Sequence, residues 1–320
     1  MPDRRSSYSD SIEGARGYLL QRRQADGFWS DFDLARGTSD EWVTAYVGIA
    51  LAGASSGDRE LTTSIADVLD RRRAHAEGWG YSATTPPDAD SSAWVSRLGL
   101  AAGRMDLYAR GVRFILRCVR SNGGIATYDS PVAIRRFLGS PPVSLRGWCS
   151  AHVCVTANAG WLDGVSDLSP VRSFLRDSQN QHGYWPAYWW SDPEYTTWLA
   201  VESLRCWSDD QDRPRIERAV QWASHFDESL PAFALACRTL LIARDKPVAA
   251  RAFAERLMRL QLTDGSWPAS ARLRLPPPDR IDPEQIPDWL PDGKGFCSVN
   301  LDQARSYTTA TALRALQALI

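Results

Sequence analysis

The stretch PPDADSSAW, residues 86–94, places two carboxylates one residue apart just ahead of a helical run of apolar residues. A helix start needs only one capping side chain, whose oxygen accepts hydrogen bonds from free backbone N–H groups. A second acid beside the cap is useful if it keeps its proton, and a water-poor site or a neighbouring carboxylate raises the pKa enough for that. One of the two carboxylates, Asp88 or Asp90, therefore caps the helix, and the other is either an acid without a role or a proton donor.

Short turns containing glycine and an aromatic residue recur along the chain, which indicates a tandem repeat. Five of these turns occupy residues 24–29, 76–81, 121–128, 179–185 and 261–267, and a degenerate sixth unit fits within 219–241. Each turn lies between two helical segments with apolar residues spaced by three and four, and β-strand alternation is nearly absent. Six helix pairs of about fifty residues can close into a ring over residues 1–320, one helix of each pair inside and one outside.

The second helices of the repeats carry small-residue pairs, such as Thr44-Ala45 and Ser92-Ala93, by which they can be aligned. One recurring position holds Trp42, Asp90, Trp148, Glu194 and Tyr307, and the position four residues later holds Tyr46, Trp94, His152, Trp198 and Thr311. Positions four apart share a helix face. Because an acid against an apolar outer helix would cost several kcal/mol unless paired, we expect this stripe to face the lumen. The alternative places the aromatic residues in the core and the acids at exposed helix ends.

A third column stands four residues ahead of the small-residue pair, at the start of each inner helix. It contains Asp40, Asp88 and Asp192, which we expect to cap their helices. Asp90 is then the additional acid, in the column where three other repeats have tryptophan or tyrosine.

Two motifs carry a family resemblance. The order Gln, Gly, any residue, Trp occurs at Gln24–Trp29, Gln179–Trp185 and Gln261–Trp267 and resembles the QW repeat of squalene and oxidosqualene cyclases. DADSSA, residues 88–93, resembles the Asp-x-Asp-Asp-Thr-Ala motif of squalene-hopene and class II diterpene cyclases, with Ser91 in place of the third acid. The resemblance covers nearly the whole chain and implies an all-α (α/α)6 barrel, of which squalene cyclases carry two and this chain one.

The resemblance also implies a mechanism. Asp90 takes the place of the family's Brønsted acid, which protonates a terminal alkene or epoxide, and Asp88 is its companion. His152 is the candidate for the histidine that hydrogen-bonds this acid from a neighbouring helix; the alternative is a core histidine bonded to a backbone carbonyl. Aromatic faces stabilise a carbocation and exclude water. The predicted lining consists of Tyr46, Trp94 and Trp198, with Trp42 and Trp148.

The predicted function is that of a class II terpene cyclase-like enzyme, which protonates and cyclises a prenyl or prenylated substrate. The role of Glu194 is left open: it is a second acid or base, a substrate anchor or a helix cap. One alternative is a barrel enzyme that uses Asp90, His152 and Glu194 on a different small molecule. Another is a binding module without chemistry, because this type of ring hosts several unrelated activities.

Composition argues against other classes of function. The net charge of −1 gives no field to attract nucleic acid. No apolar run approaches the length of a transmembrane helix, and the N-terminal residues lack the apolar core of a secretory signal. The six cysteines have no paired spacing and suggest reduced thiols in a cytoplasmic protein.

No metal or cofactor is predicted. Cys149, His152 and Cys154 do not converge on one helical face, as zinc ligands on a helix would. SDDQD, residues 208–212, is interpreted as a solvated loop and not as a magnesium-binding motif, since arginine follows it.

Two long, proline-rich segments, residues 129–146 and 270–303, interrupt the repeat. Long loops in compact folds often act as lids or binding loops. Their arginines are candidates to hold a phosphate or carboxylate head group; these are Arg135, Arg136, Arg272 and Arg274. The default interpretation is that these arginines lie on the solvated surface.

Overall fold

Helices dominate the computed structural model, which describes residues 4–53, 58–73, 77–139, 143–161 and 168–320. Thirteen α-helices lie in these ranges: α1 (Arg4–Gln21), α2 (Glu41–Ala52), α3 (Asp58–Arg72), α4 (Ala89–Ala102), α5 (Met105–Arg117), α6 (Pro131–Phe137), α7 (Val153–Ala159), α8 (Ser169–Asp177), α9 (Glu194–Trp207), α10 (Arg213–Ala223), α11 (Ala232–Ile242), α12 (Pro247–Leu260) and α13 (Ser306–Gln317).

Six helices form a closed inner ring. α2, α4, α7, α9, α11 and α13 each contact the next, and α13 contacts α2. α1, α3, α5, α8, α10 and α12 pack around them, each against one or two inner helices. The predicted (α/α)6 barrel of six helix pairs is confirmed.

The two kinds of helix differ in how much of their surface is buried. In α2 nearly every residue from Glu41 to Leu51 is buried, as expected of a helix enclosed on all sides. In α5 the buried residues fall on one apolar face, which includes Leu107, Phe114 and Ile115. None of the helices in the described ranges combines the length and apolar composition needed to cross a lipid bilayer.

In four of the five Gly-aromatic turns, a tryptophan joins an outer helix to the next inner helix. Its indole N–H donates to a carbonyl ten residues earlier, at 2.6–3.0 Å, in the pairs Trp29–Leu19, Trp79–Leu69, Trp185–Leu175 and Trp267–Leu257. Its backbone N–H donates to a hydroxyl of the inner helix, at 2.9–3.3 Å, in the pairs Trp29–Thr44, Trp79–Ser92, Trp185–Thr197 and Trp267–Thr309. The same two bonds therefore set the geometry of four repeats.

Two turns also require glycine. Gly183 and Gly265 have φ values of 96° and 85°, in the left-handed region. A Cβ at these positions would lie 2.6 Å from the Arg218 carbonyl oxygen and 2.2 Å from that of Gly14. The close approach of the turn to the neighbouring outer helix excludes any side chain there.

The hydrogen bond from the turn N–H to the inner-helix hydroxyl corrects the predicted alignment of two inner helices. In the third repeat Ile125 N–H donates to Thr156 Oγ1 at 2.8 Å, so Thr156 is the counterpart of Thr44. The predicted register, which used Ser150, was six residues early, and α7 begins only at Val153. In the fourth repeat Thr197, and not Thr196, accepts the bond. Trp148 and His152 therefore do not lie on the inner-helix face as predicted.

Short strands occur in the connections, although β-strand alternation is nearly absent from the sequence. β1 (Asp31–Leu34) and β2 (Gly37–Ser39) pair antiparallel. β3 (Arg272–Leu275), β4 (Leu290–Pro291) and β5 (Ser298–Leu301) form a sheet of order β3-β5-β4, antiparallel between β3 and β5 and parallel between β4 and β5. This sheet lies in the predicted insertion 270–303.

The adjacent threonines of α9 provide a test of the corrected register. Both are fully buried, but Thr196 Oγ1 has no hydrogen-bond partner within the described part of the chain. Thr197→Val leaves the Trp185 N–H without a partner, so we expect it to lower the free energy of unfolding by about 1–3 kcal/mol. Thr196→Val is the matched control and should be neutral or stabilising. Urea denaturation measures both, and equal losses would contradict the corrected register.

Candidate active site

A cavity of about 370 Å³ lies at the end of the barrel where the inner helices begin. The two insertions supply much of its wall, through Ile134, Phe137 and Leu138 on one side and residues 273–275 and 294–296 on the other. Its aromatic wall includes Trp42, Tyr128, Trp148, Trp189, Trp190 and Phe296. The cavity is therefore largely apolar and suits a hydrophobic ligand.

Asp90 is the second residue of α4 and borders this cavity. The same position in three other inner helices, α2, α9 and α13, is occupied by Trp42, Tyr195 and Tyr307. These rings form a packed cluster, with centroid separations of 4.9 Å for Trp42–Tyr307 and 6.3 Å for Tyr195–Tyr307. Asp90 thus replaces an aromatic residue at one place in the ring.

Asn158 of α7 holds the Asp90 carboxyl group. Its side-chain amide donates to Asp90 Oδ1 at 3.0 Å and to the Asp90 carbonyl oxygen at 3.2 Å. Within the described ranges no hydrogen bond to Asp90 Oδ2 is formed. One carboxyl oxygen is therefore anchored and the other is left for a ligand. Sequence reasoning missed Asn158, because the predicted register assigned its position on the inner helix to His152. The corrected register shifts that position by six residues, to Asn158.

Both carboxyl groups of the DAD stretch have raised pKa values. Burial raises the pKa of Asp90 to about 6, against the Asn158 hydrogen bond and the charge of Arg97, which favour the carboxylate. Burial also raises the pKa of Asp88 to about 7, and the charge of Asp90 adds to this rise. A proton can therefore reside on either group near neutral pH.

Asp88 is the N-cap of α4, as predicted. Its Oδ1 accepts from Ser91 N–H and its Oδ2 from Ser91 Oγ, both at 2.7 Å. Ser91, which stands where the resemblance has a third acid, thus occupies both oxygens of Asp88. Asp40 holds the equivalent cap position but its carboxylate pairs with Arg72, and Asp192 lies before the cap and pairs with Arg272.

The predicted hydrogen bond between His152 and Asp90 is wrong. His152 is the residue before α7, because the GWCSAH segment forms turns and the helix starts one residue later. Its Nδ1 lies 2.8 Å from Thr127 Oγ1 and its Nε2 2.8 Å from the Gly147 carbonyl oxygen. The ring stacks on Tyr188 at 3.8 Å. Burial lowers the pKa of His152 to about 3.

Three of the predicted lining residues lie beneath the cavity and not on its wall. Tyr46, Trp94 and Trp198 are almost completely buried. The guanidinium of Arg314 lies 5.6, 5.8 and 4.7 Å from their respective ring centroids. Tyr46 also bonds to Thr311 Oγ1 at 2.8 Å. This packed layer forms the floor, whereas Trp42 and Trp148 border the cavity.

Glu194 also lies off the cavity wall. As the first residue of α9 it accepts bonds from Arg238 Nη2 and Nε, at 2.9 and 3.2 Å, and both side chains are buried. Glu41 occupies the same position in α2 and pairs with Arg73 at 2.9 Å. Burial raises the pKa of Glu194, while Arg238 lowers it. The repeat-equivalent pairs indicate a structural role that ties neighbouring elements together.

Of the four arginines predicted for a head group, only Arg274 borders the cavity. It donates to the Tyr188 carbonyl oxygen at 2.9 Å and pairs with Glu284 at 2.8 Å. Arg135 donates to the Val143 carbonyl oxygen, and Arg272 pairs with Asp192. Arg136 is exposed on α6.

Sequence reasoning missed two basic residues of the cavity and two tryptophans. Arg36 and Lys294 border the cavity from connections outside the helices. Trp189 and Trp190 follow the fourth Gly-aromatic turn, and Trp190 packs against Tyr195 and Tyr307 at centroid separations of 4.7 and 5.3 Å. The two adjacent tryptophans could have been recognised in the sequence as cavity candidates. The two basic residues could not, because the loops that carry them come together only in the folded chain.

Comparison with known proteins identified relatives among solved structures. A scan against protein-family models and a search of curated proteins found no match. A variant of the type II terpene cyclase MstE from Scytonema, in complex with its substrate geranylgeranyl dihydroxybenzoate, is 33% identical, with a TM-score of 0.91 over 98% of this chain and 97% of that chain. Another variant, in complex with the product merosterolic acid A, is 33% identical, with a TM-score of 0.91 over 97% and 96%.

Two further structures are similar. A protein from Actinoplanes is 36% identical, with a TM-score of 0.90 over 98% of this chain and 99% of that chain. The ent-copalyl diphosphate synthase from Streptomyces platensis is 17% identical, with a TM-score of 0.55 over 87% of this chain and 50% of that chain, and shows the fold alone. With one third of its residues identical to MstE over almost the full length of both chains, the protein belongs to the type II terpene cyclases.

Proposed function

We propose that this one barrel cyclises a prenyl chain in the aromatic cavity, with Asp90 as the proton donor. One observation carries the proposal: Asp90 presents a carboxyl oxygen without a hydrogen bond from the described residues to an apolar cavity, and burial raises its pKa to about 6. An acid that is partly buried beside an apolar cavity can hold a proton near neutral pH and deliver it to a weak base.

Asn158 determines which oxygen carries the proton. An amide N–H donates to the unprotonated oxygen of a neutral carboxylic acid, so the bond to Oδ1 leaves the proton on Oδ2. The Asp90 proton then adds to the less substituted carbon of the terminal double bond, whose π electrons form the new C–H bond. The resulting tertiary cation is attacked by the next double bond, which closes a ring. Loss of a proton at the end makes the overall reaction an isomerisation.

The aromatic wall supports the cationic steps. Trp42, Trp148, Trp189 and Trp190 present ring faces or edges around the cavity. Such rings attract a cation and carry no nucleophile that would capture it, and the apolar wall excludes water. An apolar cavity with this lining favours cyclisation over the two alternatives, which are chemistry on a polar small molecule and a binding module without a reaction.

The substrate proposed here is a prenyl chain joined to a polar or anionic head group. MstE is described with geranylgeranyl dihydroxybenzoate as its substrate. In this chain Arg36 and Lys294 border the cavity from its connecting loops, and Lys294 also pairs with Asp33. The cationic groups suit a carboxylate or phenol, while the apolar interior suits the chain.

Asp90→Asn should abolish most of the activity without disturbing the fold. Asparagine keeps the shape and can still accept the Asn158 bond, but it has no acidic proton. We expect kcat/KM on geranylgeranyl dihydroxybenzoate to fall by about 10²- to 10⁴-fold. Asp106→Asn, on the surface of α5, is the control. Product formation followed by mass spectrometry tests this, and wild-type activity in Asp90→Asn would remove Asp90 from the mechanism.

The dependence of activity on pH should follow the proton on Asp90. The protonated form is the active one, so kcat/KM should be constant below about pH 6 and fall tenfold for each pH unit above it. A rate that rises through this range would contradict a proton-donating role for Asp90.

Asn158→Leu should move this profile. The amide favours the carboxylate form of Asp90, so its loss should raise the pKa of that acid and shift the inflection to higher pH. The maximal rate should also fall, since the carboxyl group loses its anchor. A pH series on wild type and variant measures both effects, and an inflection that moves to lower pH would count against the assignment.

A further inference from the structure

A hydroxyl and an imidazole form a connected pair at the cavity wall, and the protonation step does not use them. Thr127 borders the cavity, and its Oγ1 lies 2.8 Å from His152 Nδ1. Trp189 Nε1 lies 2.8 Å from the same oxygen. On the far side of the ring, His152 Nε2 lies 2.8 Å from the Gly147 carbonyl oxygen. His152 is 2% exposed and does not line the cavity itself, but it contacts Thr127, which does.

Donor and acceptor chemistry fixes the proton on each atom of this chain. An indole N–H can only donate, so Thr127 Oγ1 accepts from Trp189. A carbonyl oxygen can only accept, so His152 Nε2 carries a hydrogen. Burial lowers the pKa of His152 and keeps the ring neutral at physiological pH. Nδ1 therefore has a free lone pair, which accepts the hydroxyl hydrogen of Thr127.

This pair stands beside the acid. The Thr127 carbonyl oxygen accepts a hydrogen bond from Ala89 N–H at 2.8 Å, and Ala89 lies between Asp88 and Asp90. Thr127 and Asp90 both border the cavity. A basic hydroxyl oxygen and a proton donor thus share one wall of an otherwise apolar chamber.

We propose that Thr127 is the base that ends the reaction and that His152 takes the hydroxyl proton of Thr127 as it does so. The inference rests on the proposed function. The C–H bond next to the final cation breaks, and its electron pair becomes the new double bond. That proton binds Thr127 Oγ1, while the original hydroxyl proton moves to His152 Nδ1. A neutral hydroxyl–imidazole pair is a sufficient base, because a tertiary carbocation is a far stronger acid than an imidazolium.

The surroundings accommodate the imidazolium for the length of one turnover. The Gly147 carbonyl oxygen accepts its Nε2–H, and the Tyr188 ring lies against its face at 3.8 Å. Asp90, which has given up its proton, supplies a negative charge from the same wall. The imidazolium then releases one proton and the Asp90 carboxylate takes one up, which restores the starting state.

Replacement of Thr127 separates this role from a structural one. With geranylgeranyl dihydroxybenzoate as the probe, Thr127→Val should still consume substrate, because Asp90 is intact. The share of the wild-type product should fall at least tenfold, in favour of isomeric alkenes or alcohols formed by water capture. Thr127→Ser retains the hydroxyl and should give the wild-type product. His152→Phe keeps an aromatic ring against Tyr188 but accepts no proton, and should change the products as Thr127→Val does.

The outcomes distinguish this inference from the proposed function. If wild type converts the probe and Thr127→Val yields the same products in the same proportions, Thr127 is not the base. If wild type converts no probe, the proposed function itself fails. Nitrogen-15 NMR of the four histidines gives a readout without substrate: His152 should be neutral and protonated at Nε2. A proton on Nδ1 of the neutral ring would overturn the assignment.

Discussion

The hydrogen bond from each Gly-aromatic turn to a hydroxyl of the following inner helix is the constraint on which the site depends. It connects Trp29 with Thr44, Trp79 with Ser92 and Ile125 with Thr156. An α-helix turns by about 100° per residue, so a slip of one residue would rotate every side chain away from its place. Because Ser92 is fixed by the turn, the residue two positions earlier, Asp90, is held at the cavity wall.

An acid in such a place has an energetic cost. One pKa unit corresponds to about 1.4 kcal/mol of difference between the two protonation states. Raising the pKa of Asp90 from 3.8 to about 6 therefore disfavours its ionised form, relative to its protonated form, by roughly 3 kcal/mol more in the folded protein than in water. In the layer beneath the cavity, Arg314 packs over Tyr46, Trp94 and Trp198, and such cation–π contacts are stabilising. This layer separates the cavity, where chemistry is proposed, from the rest of the barrel interior.

The inner helices alone do not make the cavity. They contribute Asp90, its anchor Asn158 and part of the aromatic ring, whereas the two insertions and the loop carrying Trp189 and Trp190 close the space above them. The toroid is shared with distant proteins such as the ent-copalyl diphosphate synthase. Much of the cavity wall is thus carried by the connections and not by the shared barrel, in keeping with sites grafted on a common scaffold.

The sequence by itself determined the repeat, the helical barrel, the cap at Asp88 and the extra acid at Asp90, because periodicity and capping are local properties of a few neighbouring residues. Only the tertiary structure decided that Thr156 and not Ser150 faces the third turn. The pairs Ser150-Ala151 and Thr156-Ala157 both satisfy the local spacing. The hydrogen bond that distinguishes them comes from Ile125, 31 residues before Thr156. The same long-range choice gave Asp90 the partner Asn158 and turned His152 towards Thr127, since a side chain's partner is set by the elements packed against it.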